Sequence, residues 1–178
     1  RGGAIAAEIT ASGGEAAAFI ADVSAEEDVK NMVRSVVDKW GKIDILINNA
    51  AVSDNKTIFK ITKAEWDKTL AVSLTGPFLV SKYVAEQMVK QGRGGKIVNV
   101  ASTSGYLGRD SAIAYTSAKA GVLNLTRSLA VQLAPYNIRV NSVSPNRVGS
   151  PVGKDEFDPD RKVENLKGRP GQPMEVAR

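Results

Sequence analysis

Tyr115 and Lys119 stand four residues apart in Tyr115-Thr116-Ser117-Ala118-Lys119, and Ser102 lies thirteen residues before the tyrosine. If the tyrosine opens a helix, the lysine falls one turn on, along the same face. A phenol and an ammonium held that way suit proton transfer. The cation favours the phenolate and is expected to lower the tyrosine pKa from its usual value of about 10. Ser102 follows the apolar run Ile97, Val98, Val100 and belongs in the loop at a strand's carboxyl end, where open α/β sheets bind ligands. A hydroxyl there can hydrogen-bond an oxygen that gains charge during reaction.

The remaining composition narrows the chemistry. The chain has 178 residues, with neither cysteine nor histidine. That excludes disulfides, thiolate metal sites, Ser-His and Cys-His nucleophile pairs, and most zinc and iron sites. Acid–base work must fall to Tyr, Lys, Asp or Glu. The net charge of +5 points toward an anionic partner, but the basic residues are scattered and often sit beside acids, as in Lys63 with Glu65 and Lys154 with Asp155. No basic stripe interleaves with aromatics, so nucleic acid is not the expected partner. No run approaches about eighteen apolar residues, so no membrane span is expected, and Arg1-Gly2-Gly3-Ala4 carries no secretory signal.

The elements that must position these residues read in order. Residues 1 to 11 form the end of a helix closed by Gly13-Gly14. Ala16 to Ala21 reads as a buried strand ending at Asp22-Val23, and Ser24-Ala25-Glu26-Glu27 as a capping box. Val29, Met32, Val33, Val36, Val37 and Trp40 then mark an amphipathic helix stopped by Gly41. Ile43 to Ile47 is a second buried strand, leading into Asn48-Asn49-Ala50-Ala51. Thr62-Lys63-Ala64-Glu65 repeats the capping box, with Ile61 and Trp66 as a hydrophobic staple. Gly76-Pro77 should bend or break the helix that follows, which resumes from Phe78 to about Val89 and ends at Gly92, Gly94 and Gly95. The strand Lys96 to Val100, the Ser102 loop, the Tyr115 helix to Leu133 and a strand Ile138 to Val143 close the pattern at Pro145. Residues 146–173 read as a long loop with a helical turn or two. This alternation predicts a single α/β domain, a doubly wound parallel sheet covered by helices on both faces.

Taken together, the Asp22-Val23 pair after a strand, Asn48-Asn49-Ala50, Ser102, Tyr115 with Lys119, and Asn141 ahead of Pro145 resemble the short-chain dehydrogenase/reductase family over essentially the whole chain. Within that family the general look is of 3-oxoacyl-acyl-carrier-protein reductases and sugar or steroid dehydrogenases. The resemblance implies a Rossmann-fold, cytoplasmic oxidoreductase that moves hydride between NAD or NADP and a small secondary alcohol or ketone. It makes Tyr115 the general acid or base, Lys119 the residue that tunes it and binds the nicotinamide ribose, and Ser102 the residue that orients the substrate oxygen. Asp22 and Val23 would meet the adenine, and Asn48 and Ala50 would line the adenosine. Pro145, Val148 and Ser150 would lie by the nicotinamide carboxamide, in a substrate-side loop spanning 146–173. By resemblance alone, the two long helices pack between subunits of a homodimer or homotetramer.

Plainer roles stay open beside these. Asp22 suits the flank of a capping box, Asn48 and Asn49 suit plain turns, Ser104 competes with Ser102, and Trp40 and Trp66 suit the core. The acids Asp155, Glu156, Asp158 and Asp160 read as a solvated loop, although the family places its substrate lid there. Ser73 replaces the family's asparagine at a helix irregularity that anchors a proton-relay water; its hydroxyl or a main-chain carbonyl can take over that work. Ala51 and Asn146 stand where glycine is usual. No glycine-rich phosphate turn follows a strand at the start of the chain. A fragment lacking the first two strands and the last is therefore expected, with the Ala16–Ala21 strand left without a neighbour. The segment that selects NAD or NADP is missing with them. The alternative function is a non-catalytic binding or scaffold protein on the same fold, or an inactive fragment.

Overall fold

The structure, a computed structural model, describes residues 2–148 and 168–177. Its centre is a parallel sheet of three strands, β1 (Ile45–Asn48), β2 (Gly95–Val100) and β3 (Ile138–Val143), in the order β1-β2-β3. Leu46 pairs with Ile97, and Ile97 with Val140. The helices α1 (Gly2–Ala11), α2 (Glu26–Trp40), α3 (Lys63–Leu70), α4 (Gly76–Gln91), α5 (Ile113–Leu133) and α6 (Pro173–Ala177) complete the described chain.

The alternation of the strands sorts the sheet into two faces. Ile97, Ile138 and Val140 turn inward and meet Val29 and Val33 of α2, Leu79, Val80, Val84 and Met88 of α4, and Leu129 of α5 in one core. The other face carries Ile45, Ile47, Lys96 and Arg139, all exposed. Among the described residues, the helices of this core gather on one face of the sheet. For the same reason the expected buried strand from Ile43 to Ile47 is shorter and half-open, with Ile45 57% and Ile47 63% exposed.

The expected strand from Ala16 to Ala21 is also corrected. A strand exists only as part of a ladder, and this segment has no strand partner among the described residues. It runs outside the sheet along α2, held by the Phe19 ring edge-on to Trp40 and by Glu15 accepting from the Trp40 indole at 2.8 Å. The first capping box does not form either. Ala25 is the N-cap of α2 and caps nothing through its side chain. Ser24 spends its hydroxyl on Asp22, and Asp28 reaches back to accept from the Asp22 amide at 2.9 Å. The second box is present in both directions, between Thr62 and Glu65. Gly41 and Gly92 close α2 and α4 in the left-handed conformation that favours glycine.

Gly76-Pro77 neither breaks nor interrupts the helix. The turn before it, Ala71–Thr75, widens into a π-helix that joins α3 to α4 without a gap. Pro77 has no N–H to offer the carbonyl of Ser73, and the Gly76 amide reaches back five residues to Ala71. Gly76 itself is packed against the Asp22-Val23 corner: a Cβ there would come within 2.8 Å of Val23 Cγ2.

Candidate active site

Strand β2 delivers the site. Beyond Val100 the chain enters Ala101 and Ser102, whose loop is tied to the end of β3: Ala101 donates to Val143 O at 2.8 Å and Thr103 to Pro145 O at 3.1 Å. Ser102 is extended and buried, and its oxygen accepts from the Ser104 amide at 3.1 Å. Among the described residues its hydroxyl proton meets no acceptor. The short 3-10 turn Thr103–Gly105 then lies directly on α5. A Cβ on Gly105 would sit 2.9 Å from both the carbonyl carbon and oxygen of Lys119.

Tyr115 does not open α5 but occupies its first turn, after Ile113 and Ala114. Lys119 follows one turn later and is buried, 3% exposed. Its ammonium donates to Val100 O at 2.6 Å and stands 5.5 Å from the centre of the Tyr115 ring. Burial lowers its pKa from 10.5 to about 8. The cation thus persists at neutral pH in a dry setting, where charge acts more strongly than in water. Because Lys119 is bound to the end of the strand that carries Ser102, the three residues converge at the carboxyl end of β2.

Ser73 lies on the π-helix and is fully buried. Its hydroxyl donates to Val52 O and accepts from Val52 N, both at 3.0 Å. The side chain is committed to the loop after β1 and has no proton left for a water. That loop continues to Asp54, whose Oδ1 accepts from the Tyr115 amide at 2.9 Å.

On the other side of β1, a cavity of about 230 Å³ is lined by Val23, Met32, Leu46, Asn48, Ala50 and Pro77 among others. Val23, Asn48 and Ala50, all expected at a cofactor, therefore line the same cavity. Asp22 lies exposed beside them, its carboxyl held below the usual range by the hydroxyl and amide of Ser24. The Asn48 amide nitrogen is turned into the protein, donating to Ser81 Oγ and Asn99 Oδ1 at 2.8 Å. Asn99 passes the chain on to Thr126 Oγ1 at 2.9 Å. Pro145 is half-buried under Thr103, and Val148 forms a parallel bridge with Gly171. Ser150 lies outside the described residues, as do Asp155, Glu156, Asp158 and Asp160.

The sequence reading missed Asp54, Asn99 and Thr126. A signal for the first was present: α5 is preceded by Ala112 and has no acid in its first turn, so its free amides require an acceptor from elsewhere. Asn99, a polar residue within the apolar run of β2, was the corresponding signal for the buried amides.

A sequence profile of the short chain dehydrogenases matches residues 1–161. Among curated relatives, a Thermotoga maritima protein named an uncharacterized oxidoreductase is 40% identical over 88% of this chain and 63% of its own length. A 3-oxoacyl-[acyl-carrier-protein] reductase of Synechocystis is 34% identical over 98% of this chain and 70% of its own. The chain thus spans a little under to a little over two thirds of these relatives. A solved short-chain type dehydrogenase/reductase from Mycobacterium marinum superposes with a TM-score of 0.92 at 32% identity, covering 97% of this chain and 70% of that one. A short chain dehydrogenase from Mycobacterium smegmatis gives 0.86 at 30% identity, covering 99% and 67%. These likenesses establish the doubly wound, Rossmann-like fold.

Proposed function

The chain belongs to the short chain dehydrogenases, and from that premise we propose that the protein interconverts a secondary alcohol and a ketone with NAD or NADP. The observation that carries this reading is the convergence of Ser102, Tyr115 and a buried, cationic Lys119 at one strand end. In reduction, the Tyr115 phenol gives its proton to the substrate carbonyl oxygen while the Ser102 hydroxyl donates a hydrogen bond to the same oxygen. Lys119 stabilises the negative charge left on the phenol oxygen; oxidation runs the same transfers backwards. When bound, the nicotinamide supplies or takes up the hydride.

The cavity beside β1 fits the adenosine part of such a cofactor, because Val23 and Ala50 give it an apolar wall and Asp22 stands beside it as an acceptor. Pro145, Val148 and Ser150 are proposed for the nicotinamide side. Ser73 enters this scheme through its main chain. Its hydroxyl is spent on Val52, whereas Pro77 offers its carbonyl no helical partner, so the carbonyl is the group suited to hold a relay water. Exposed Phe78 and Val89 on α4 and Val131 on α5 support pairing of these helices in a homodimer or homotetramer, and a cytoplasmic location is part of the same reading.

Tyr115→Phe tests the assignment. It should lower turnover about a hundredfold or more while leaving cofactor binding intact. Retained turnover would overturn it, and a wild-type protein without turnover would support the scaffold alternative.

A further inference from the structure

The tyrosine-bearing end of α5 is not held by its own sequence. Its N-cap is Ala112, fully buried and left-handed at φ 61°, with no side-chain cap. An alanine keeps that conformation only where its surroundings enforce it. The enforcing contacts come from the loop after β1. Lys56 O accepts from the Ile113 amide at 3.4 Å, and Asp54 Oδ1 accepts from the Tyr115 amide at 2.9 Å, across 61 residues. The other Asp54 oxygen accepts from the Lys56 amide at 3.3 Å, so both oxygens are used. The base of the loop is clasped at Val52 by Ser73. Ser73, Val52, Asp54 and Tyr115 therefore form a continuous strut from the π-helix to the backbone of the reacting residue.

We propose that Asp54 is a positioning residue: a cap supplied from a remote loop that sets where the Tyr115 phenol stands. The role rests on the dehydrogenase reading above but is carried by separate contacts. Asp54 accepts from a first-turn amide of a helix that has no acid of its own there, and its charge suits the positive end of the helix dipole. A small displacement of the phenol is costly because proton transfer needs hydrogen-bond geometry.

The test compares Asp54→Ala, which removes the acceptor, with Asp54→Asn, which keeps an oxygen without the charge, in the full-length protein. Asp54→Ala should speed amide exchange at Tyr115 about fivefold or more. It should also lower kcat about tenfold with the cofactor KM unchanged. Asp54→Asn should restore both. Asp54→Leu, isosteric with asparagine but lacking an acceptor, carries the same expectation as alanine should that variant fail to fold. Unchanged exchange at Tyr115, faster exchange with unchanged kcat, or an asparagine variant as poor as alanine would each overturn the proposal. A wild-type protein without turnover, combined with faster exchange only in Asp54→Ala and Asp54→Leu, would leave the cap standing and remove the dehydrogenase reading instead.

Discussion

Lys119 is a charged side chain carried almost wholly out of water. Its folded pKa, about 8, lies below the 10.5 of an exposed lysine. Between those values the unfolded chain holds a proton that the folded chain has released, so this group's contribution to stability rises with pH across that window. Below it the buried charge is a constant burden. Lys119→Met removes the burden at a similar volume. The stability of the variant relative to wild type should therefore be more favourable at pH 7 than at pH 10, by up to about 3 kcal/mol. Melting temperatures of both proteins at the two pH values check this, and a difference independent of pH would show that the ammonium is not penalised. Ser102 differs in kind: its position is fixed by backbone bonds to β3, so only its proton is left for chemistry.

Among the elements, the 3-10 turn and α5 meet backbone to backbone beside the site. Gly105 leaves no room for a methyl group against the main chain of Lys119, and backbone atoms cannot rotate away as a flexible side chain can. Gly105→Ala should cost about 1–3 kcal/mol in a denaturant titration and should lower turnover, since the displaced turn carries Ser102 at one end and presses on Lys119 at the other. Helix periodicity and a glycine stop made α2 legible in the sequence, because Val29, Val33, Trp40 and Gly41 each act locally. A helix irregularity at Ser73 was legible only through the family resemblance, and its π form was not, since Ser73 docks on Val52, a residue 21 positions away. The Ala16–Ala21 segment had the composition of a strand, but composition cannot supply a ladder partner. That Tyr115 and Lys119 meet on one helix face was legible by spacing, whereas Asp54 meets the Tyr115 amide across 61 residues, a contact that no local pattern encodes.

For the whole molecule, β1 is an edge of the described sheet, with Ile45 and Ile47 exposed on its outer face. An open strand edge beside apolar side chains is a template for association. The purified 178-residue chain should therefore self-associate, and the double substitution Ile45→Lys, Ile47→Lys should shift it toward monomer in light scattering. An unchanged particle size would rule out this face. The buried amides have a different consequence. Asn48, Ser81, Asn99 and Thr126 come from β1, α4, β2 and α5, and the whole network closes only when all four elements are seated in register. A collapsed chain with β1 shifted by one residue would turn the Asn48 amide away from Asn99 and leave a polar group stranded in hydrocarbon, a heavier penalty than the lost apolar contacts alone. The network thus works as a proofreading step in folding. Near-native alignments can form through the interchangeable valines and isoleucines, but only the correct one lets the chain settle into a single native state.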